Sequence, residues 1–358
     1  MDNTALELLK TLVATPTPSG WEADGMKLLA RYTKPYAESV SIDVHGNLRV
    51  ALNTQAPVRV MIDGHCDEIG FMVQYIDEKG FLFMCALGGV TVPLLAGERI
   101  IIQGRQGPVN GVFGATPPHL LKADEMKKVA PQDIADICID IGAKDRAEAE
   151  RLVEVGAPAV IDAGWRPLAG DRVACRGFDD RIGAFIVMEA VRRLHGQKLP
   201  VALHAVASVQ EELGLVGATT AAYDIQPHAG IAVDVGFSAD CAGHEKKLLG
   251  DVSLGKGPIV VYGPTYHPRM QAIMQEAARA RKIPLQRQVR ARGAGTNAWP
   301  MRMVRSGAAV GLISIPLRYM HSAIEVLSLG DVEQCIDLLV ASVLAIPADA
   351  DFRREQPE

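Results

Sequence analysis

Apolar positions recur along this chain with two different periods. Over residues 4–13, Leu8, Leu9, Leu12 and Val13 return at helical intervals, and Thr4 with Glu7 stands in capping-box spacing, so the pattern predicts a helix at the start. The turn-rich stretch Thr15-Pro-Thr-Pro-Ser-Gly20 separates it from a second helical pattern through Met26, Leu28, Leu29 and Tyr32. Further on, short apolar runs at 58–62, 201–209, 230–235 and 308–315 read as buried strands, whereas 182–194, 268–281 and 331–345 have helical periodicity. Buried strands alternating with helices predict an α/β fold of three layers, α/β/α.

Residues 71–168 break this rhythm. Glycines at 80, 88, 89, 97, 104 and 107 separate short runs such as Phe81-Leu-Phe-Met and Arg99-Ile-Ile-Ile. Strands so short and closely spaced pair with one another more easily than with a distant parallel sheet, which predicts an inserted, small, β-barrel-like domain. The larger domain is then discontinuous, formed by 1–70 and 169–358. There is no internal repeat, and Arg353 to Glu358 reads as a disordered tail.

Composition narrows the choice of partners. With 358 residues, 48% hydrophobic, 22% charged and a formal net charge of −5, the chain resembles an ordinary globular protein with a sizeable core. No basic face suggests a nucleic-acid or membrane-surface partner. The N-terminus lacks a basic start and an apolar signal core, and no window approaches the roughly 18 apolar residues of a membrane span, so a cytoplasmic protein is expected. Six cysteines, Cys66, Cys85, Cys138, Cys175, Cys241 and Cys335, lie far apart without Cys-x-x-Cys spacing, which argues for reduced, structural thiols.

Several strand-like runs end in an acid or a histidine. The run at 58–62 leads into His65-Cys66-Asp67-Glu68, that at 201–209 into Glu211-Glu212, that at 230–235 contains Asp234, and that at 308–315 leads through a short loop into His321. Asp179 and Asp180 follow Val173-Ala-Cys-Arg-Gly in the same manner. Ligands of open α/β sheets gather outside the carboxyl ends of the strands, so these side chains can converge. Any one of them alone is more often a cap or a surface group. Together, two histidines and three or four carboxylates without cysteine form a nitrogen and oxygen donor set suited to zinc, cobalt or manganese. Their number exceeds the need of one ion, and a bridging carboxylate would let three protein ligands serve each of two.

With these residues in hand, the chain resembles the M42 family of metallo-aminopeptidases. Gly64-His-Cys-Asp-Glu-Ile-Gly70, Phe178-Asp-Asp-Arg-Ile-Gly183, Gln210-Glu-Glu-Leu-Gly-Leu-Val-Gly-Ala218, Val233-Asp-Val235, Leu254-Gly-Lys-Gly-Pro258 and Tyr319-Met-His-Ser322 match the family's order and spacing along nearly the whole chain. The resemblance implies a hydrolase that removes N-terminal residues from short peptides with two divalent ions, zinc or cobalt first and manganese as a further option. Asp179 would bridge them, His65 and Asp234 would complete one site, and Glu212 and His321 the other. Glu211 would act as general base and pass its proton to the leaving amine, and Asp67 would orient His65. Self-association, from dimers to hollow tetrahedral dodecamers, is implied as well.

Other readings follow from single residues. In extended backbone, neighbouring side chains point opposite ways, so Glu211 and Glu212 are expected to divide between substrate and metal. Cys66 reads as a buried small residue, Asp180 as one that shapes the backbone, and Arg181 as half of a structural ion pair. His119, in a Pro117-Pro-His-Leu-Leu121 segment that also resembles the family, reads as structural or at an interface, and His244 and His267 as surface residues. The family often carries Gly-Thr-Asp-Ala near the cleft where this chain has Gly295-Thr-Asn-Ala298; the negative charge missing at Asn297 leaves subsite electrostatics and side-chain preference open, and the metal site does not depend on it. A related di-metal amidase or deacylase and a non-catalytic, oligomeric peptide-binding scaffold are the competing functions. Endoglucanase, a name given to some of this family, fits poorly, because glycoside hydrolysis needs two free carboxylates across the bond.

Overall fold

A computed structural model describes residues 1–115, 119, 133–292 and 295–354. Two helices, α1 (Asn3–Ala14) and α2 (Ala23–Thr33), open the chain. The cap of α1 is Asp2, whose carboxylate accepts the Ala5 N–H at 2.9 Å, and not Thr4. An aspartate two residues upstream serves the same orphan amides, and Glu7 instead pairs with Lys10 at 3.1 Å.

Strands β1 (Ser39–Ile42), β2 (Leu48–Leu52) and β3 (Arg59–His65) follow, and then the chain leaves the main sheet. β4 (Gly70–Ile76), β5 (Leu82–Leu87), β6 (Arg99–Gly104), β7 (Gly107–Phe113), β8 (Cys138–Asp140) and β9 (Pro158–Ile161) close a barrel in the order β4-β5-β8-β7-β6-β9. Phe71, Val73, Ile100, Ile102, Phe113 and Ile139 fill it. A helix not foreseen from the sequence, α3 (Arg146–Leu152), lies between β8 and β9; its seven residues bury only Ala149, too little to leave a periodic signal. Of the Pro117–Leu121 segment only His119 falls within the described residues, and it is exposed.

The remaining elements are β10 (Arg166–Pro167), β11 (Arg172–Cys175), α4 (Phe178–Leu194), β12 (Ala202–Ser208), α5 (Val216–Ile225), β13 (Ala229–Phe237), α6 (Lys246–Leu249), β14 (Ile259–Tyr262), α7 (Pro268–Arg281), β15 (Gln286–Val289), α8 (Ala298–Arg302), β16 (Ala309–Leu317), β17 (Glu325–Ser328) and α9 (Leu329–Ala345). The main sheet has eight strands in the order β1-β2-β12-β3-β13-β16-β14-β15. Its centre, β12, β3, β13 and β16, is parallel, so four carboxyl ends emerge on one edge. These strands are buried on both faces, and their side chains alternate between two cores. Val60, Ile62, Ile231, Val233 and Ile313 join the core that contains α1, α2, α4, α7 and α9, while Met61, Ala232, Val310 and Leu312 join that of α5 and α8. The fold is thus a three-layer α/β/α unit with an inserted barrel.

One close approach fixes the central helix. A Cβ on Gly64 would stand 2.4 Å from the carbonyl carbon of Gly183, so α4 crosses β3 with almost no side chain between them. The first turn of α4 is thereby carried to the carboxyl end of β3. No helix among the described residues is long and apolar enough to cross a membrane.

Candidate metal centre

The carboxyl ends of the parallel strands and the first turn of α4 bring the strand-end acids and histidines together. His65 closes β3, Asp234 lies in β13, Glu211 and Glu212 follow β12, and His321 sits in the loop between β16 and β17. Asp179 projects from the first turn of α4, where it and Asp180 depart from helical φ/ψ. One donor atom each from His65, Asp179 and Asp234 lies within 4.8 Å of the others, and the same holds for Asp179, Glu212 and His321. Asp179 is common to both groups. Its Oδ1 is 3.4 Å from His65 Nε2 and its Oδ2 is 3.2 Å from His321 Nε2, so the two carboxylate oxygens face different groups. Glu212 Oε1 is 3.4 Å from His321 Nε2, and Glu211 Oε2 is 3.8 Å from His65 Nε2.

A set of buried carboxylates holds these groups in place. Asp67 faces His65 Nδ1 with its backbone carbonyl at 3.1 Å and its Oδ1 at 3.3 Å, and its carboxylate also accepts the amides of Glu211 at 3.0 Å and Glu212 at 3.2 Å and the Ser19 hydroxyl at 2.6 Å. It therefore fixes the glutamate turn as well as the imidazole. That turn begins before the glutamates: Gln210 has φ +51°, so the alternation expected of extended backbone does not separate Glu211 from Glu212, and both line the cleft. Asp180 accepts the His65 amide at 3.2 Å and the Gly183 amide at 3.1 Å, which makes it a clamp between β3 and α4. Glu325, which sequence reasoning missed, accepts the Asp179 amide at 3.0 Å and the His321 amide at 3.2 Å. Nothing in its local sequence marks it except its place four residues beyond His321.

Charge in the centre is unbalanced. Burial raises Asp234 to about 7, with Asp179 adding to it against His65. Burial, then Asp234, Glu212 and Asp179 against the opposing pull of His65, raises Glu211 to about 9. Asp179 goes the other way, because the His321 and His65 ring nitrogens overcome its burial and hold it far below the usual carboxylate range. Contacts with Asp179 and Glu212 raise His321 to about 11, and burial of His65 is outweighed by Glu211, Asp179 and Asp67, which raise it well above an ordinary imidazole. Among the described residues, the only cationic partners of these four carboxylates are the two histidines; no lysine or arginine pairs with them. Buried acids in excess, facing imidazoles and no thiolate, are the donor set of a hard-to-borderline divalent cation. The residues fit such ions.

The centre forms the floor of a cleft of about 390 Å³ walled by Leu215, Val235, Phe237, Leu312 and Met320. Arg290 also lines it, its guanidinium 5.8 Å from the centre of the Phe237 ring. Asn297 does not. It is 2% exposed and donates to Asp63 at 2.5 Å and to the Ser208 hydroxyl at 2.8 Å, which gives it a role beneath β3. Arg181 is fully buried against Glu68 at 3.0 Å, and Cys66 is fully buried with its thiol pushed up by burial. His244 is exposed and contacts the Ser238 carbonyl, while His267 caps α7 by accepting the Arg269 amide; neither lines the cleft. The Leu254–Pro258 motif is structural, since the amides of Gly255 and Gly257 donate to Asp331 of α9 at 2.6 and 2.7 Å.

Comparison with known proteins places these features in a family. The family described as M42 glutamyl aminopeptidase matches residues 46–338. The lysyl aminopeptidase of Pyrococcus furiosus is 36% identical over 94% of this chain and 95% of its own. A TET aminopeptidase from a marine sediment archaeon of the Thaumarchaeota superposes with a TM-score of 0.91 at 34% identity, covering 96% of this chain and 97% of that one. The TET1 peptidase of Pyrococcus horikoshii, which can assemble into a tetrahedron or a large octahedral shell, gives 0.84 at 32% identity over 95% and 99%.

Proposed function

Because this chain belongs to the M42 glutamyl aminopeptidase family and is an aminopeptidase, a hydrolase of metallopeptidase type, we propose that it removes N-terminal residues from short peptides using two divalent ions. His65, Asp179 and Asp234 would hold one ion and Asp179, Glu212 and His321 the other, with zinc or cobalt as the first choices and manganese as a further one. The observation that carries this reading is the pair of three-residue groups that share Asp179. When bound, the ions would polarise the scissile carbonyl and lower the pKa of the attacking water.

The protein's own residues supply the rest. Glu211, beside His65 and held through its amide by Asp67, would take the water's proton on a carboxylate oxygen and return it to the departing amine. Asp67 keeps the His65 ring turned so that Nε2 faces Asp179. The apolar walls of the cleft would exclude bulk water from the reacting carbonyl. The assembly of the Pyrococcus horikoshii relative supports a homo-oligomer, and among the described residues the basic cluster that a carboxylate-reading deacylase would want is represented in the cleft by Arg290 alone.

The test compares an unblocked peptide with its N-acetylated counterpart after loading with zinc, cobalt or manganese. Release of the first residue from the free peptide alone supports the proposal. Preferential cleavage of the blocked one would favour the deacylase, and bound metal without turnover of either would leave the scaffold.

A further inference from the structure

The two metal groups are built from different parts of the molecule. The group of His65, Asp179 and Asp234 belongs wholly to the main sheet and α4. The group of Asp179, Glu212 and His321 has a wall from the barrel, the loop that follows β5. There, the Gly89 carbonyl accepts from His321 Nδ1 at 2.9 Å, and the Thr91 amide donates to the His321 carbonyl at 3.3 Å. His321 has φ +62° and a ring side chain 34% exposed, so these contacts and Glu325 are what hold it. Both glycines are needed for the approach. A Cβ on Gly89 would lie 2.8 Å from His321 Nδ1, and one on Gly88 would lie 3.0 Å from Glu212 Oε2.

Resting on the two-ion reading above, we infer that the Gly88–Gly89 loop of the barrel is a positioning element for one ion only, the one held by Asp179, Glu212 and His321. The Gly89 carbonyl accepts a hydrogen bond from the Nδ1–H and so presents Nε2 to Asp179 and Glu212, the part Asp67 plays for His65. His65 Nδ1 faces Asp67 just beyond β3, its backbone carbonyl at 3.1 Å and its carboxylate at 3.3 Å, whereas His321 Nδ1 faces a carbonyl on the barrel. Any displacement of the barrel loop therefore opens this group and leaves the other intact, and by linkage, filling this group tightens the loop.

The experiment measures metal uptake, with Gly89→Ala compared with the parent protein and with Gly164→Ala, a glycine whose added Cβ would meet nothing within 4 Å. Equilibrium dialysis against zinc should give two equivalents for the parent and for Gly164→Ala. Gly89→Ala should keep one equivalent at the parent affinity and lose the other at least tenfold. Two equivalents bound by Gly89→Ala as tightly as by the parent would overturn the inference. A second measurement needs no variant: amide hydrogen exchange of the parent at Thr91 should slow during one of the two additions and not the other. Unchanged exchange at Thr91 through both additions overturns the coupling. A parent that takes up fewer than two equivalents overturns the two-ion reading itself.

Discussion

Loading the centre with zinc should expel protons, and their number can be worked from the side chains. At pH 7 the His321 imidazole, at about 11, and His65, well above its ordinary value, each carry a proton in chelator-treated protein. Glu211, at about 9, carries a third, and Asp234, at about 7, is half protonated. Ligation needs neutral imidazoles and ionised carboxylates, and two adjacent dications draw Glu211 down as well. The release should therefore be about three to four protons for the two ions at pH 7. Raised pKa values mean that protons compete at low pH and lose as pH rises. The product of the two association constants should climb by about three to four decades per pH unit near neutrality, and flatten as pH passes 9 for Glu211 and approaches 11 for His321. Isothermal titration in two buffers of different ionisation heat gives the proton count directly. Release of one proton or fewer, or an affinity flat between pH 6 and 8, would refute this account of the centre. A related consequence is that Glu211 can accept a proton at neutral pH only after the ions arrive.

Three substitutions probe the rest of the architecture. Glu211→Gln should lower kcat by roughly 10²- to 10⁴-fold, the usual worth of a general base, while metal analysis still finds two ions; an active variant would sink the role assigned to it. Asp67→Asn leaves one fewer acceptor for the glutamate turn, Ser19 and His65, and should cost about 10- to 100-fold in metal affinity or in activity, read by dialysis and steady-state kinetics. Arg181→Met strands the buried Glu68 and the carbonyls of Gly177 and Thr15, so denaturant unfolding should show a loss of roughly 3–5 kcal/mol; a change below 1 kcal/mol would mean that Arg176, 3.2 Å from Glu68, suffices alone.

The four central strands were legible because they are buried on both faces and so read as apolar runs leading to a residue whose chemistry does not belong in a core, whereas the outer strands, such as exposed β1 and half-exposed β15, left no such run. Position at or near the strand ends then brought His65, Glu212, Asp234 and His321 forward as candidates, and the fold gathers them together. What stayed hidden depends on contacts made at a distance. Glu325 is an ordinary strand residue until the fold sets it between two amides of the centre, and Gly88–Gly89 reads as one more turn until the barrel leans on His321. Asn297 was visible as a departure from the family, but its burial against Asp63 was not. The argument from alternation failed at Glu211 and Glu212 because Gln210, with its positive φ, had already ended the strand.

The parallel pairing of β3 with β12, from Arg59 beside Ala202 to His65 beside Ser208, also has a temporal meaning. The whole barrel and α4 lie between these partners in the chain, so the pair closes only after a long excursion has been gathered in, which places it among the slow, non-local steps of folding. The centre, with His65 at the end of β3 and Glu212 just beyond β12, exists only once that closure is made. A metal that binds only this closed arrangement would add to its stability in proportion to the logarithm of the free ion concentration.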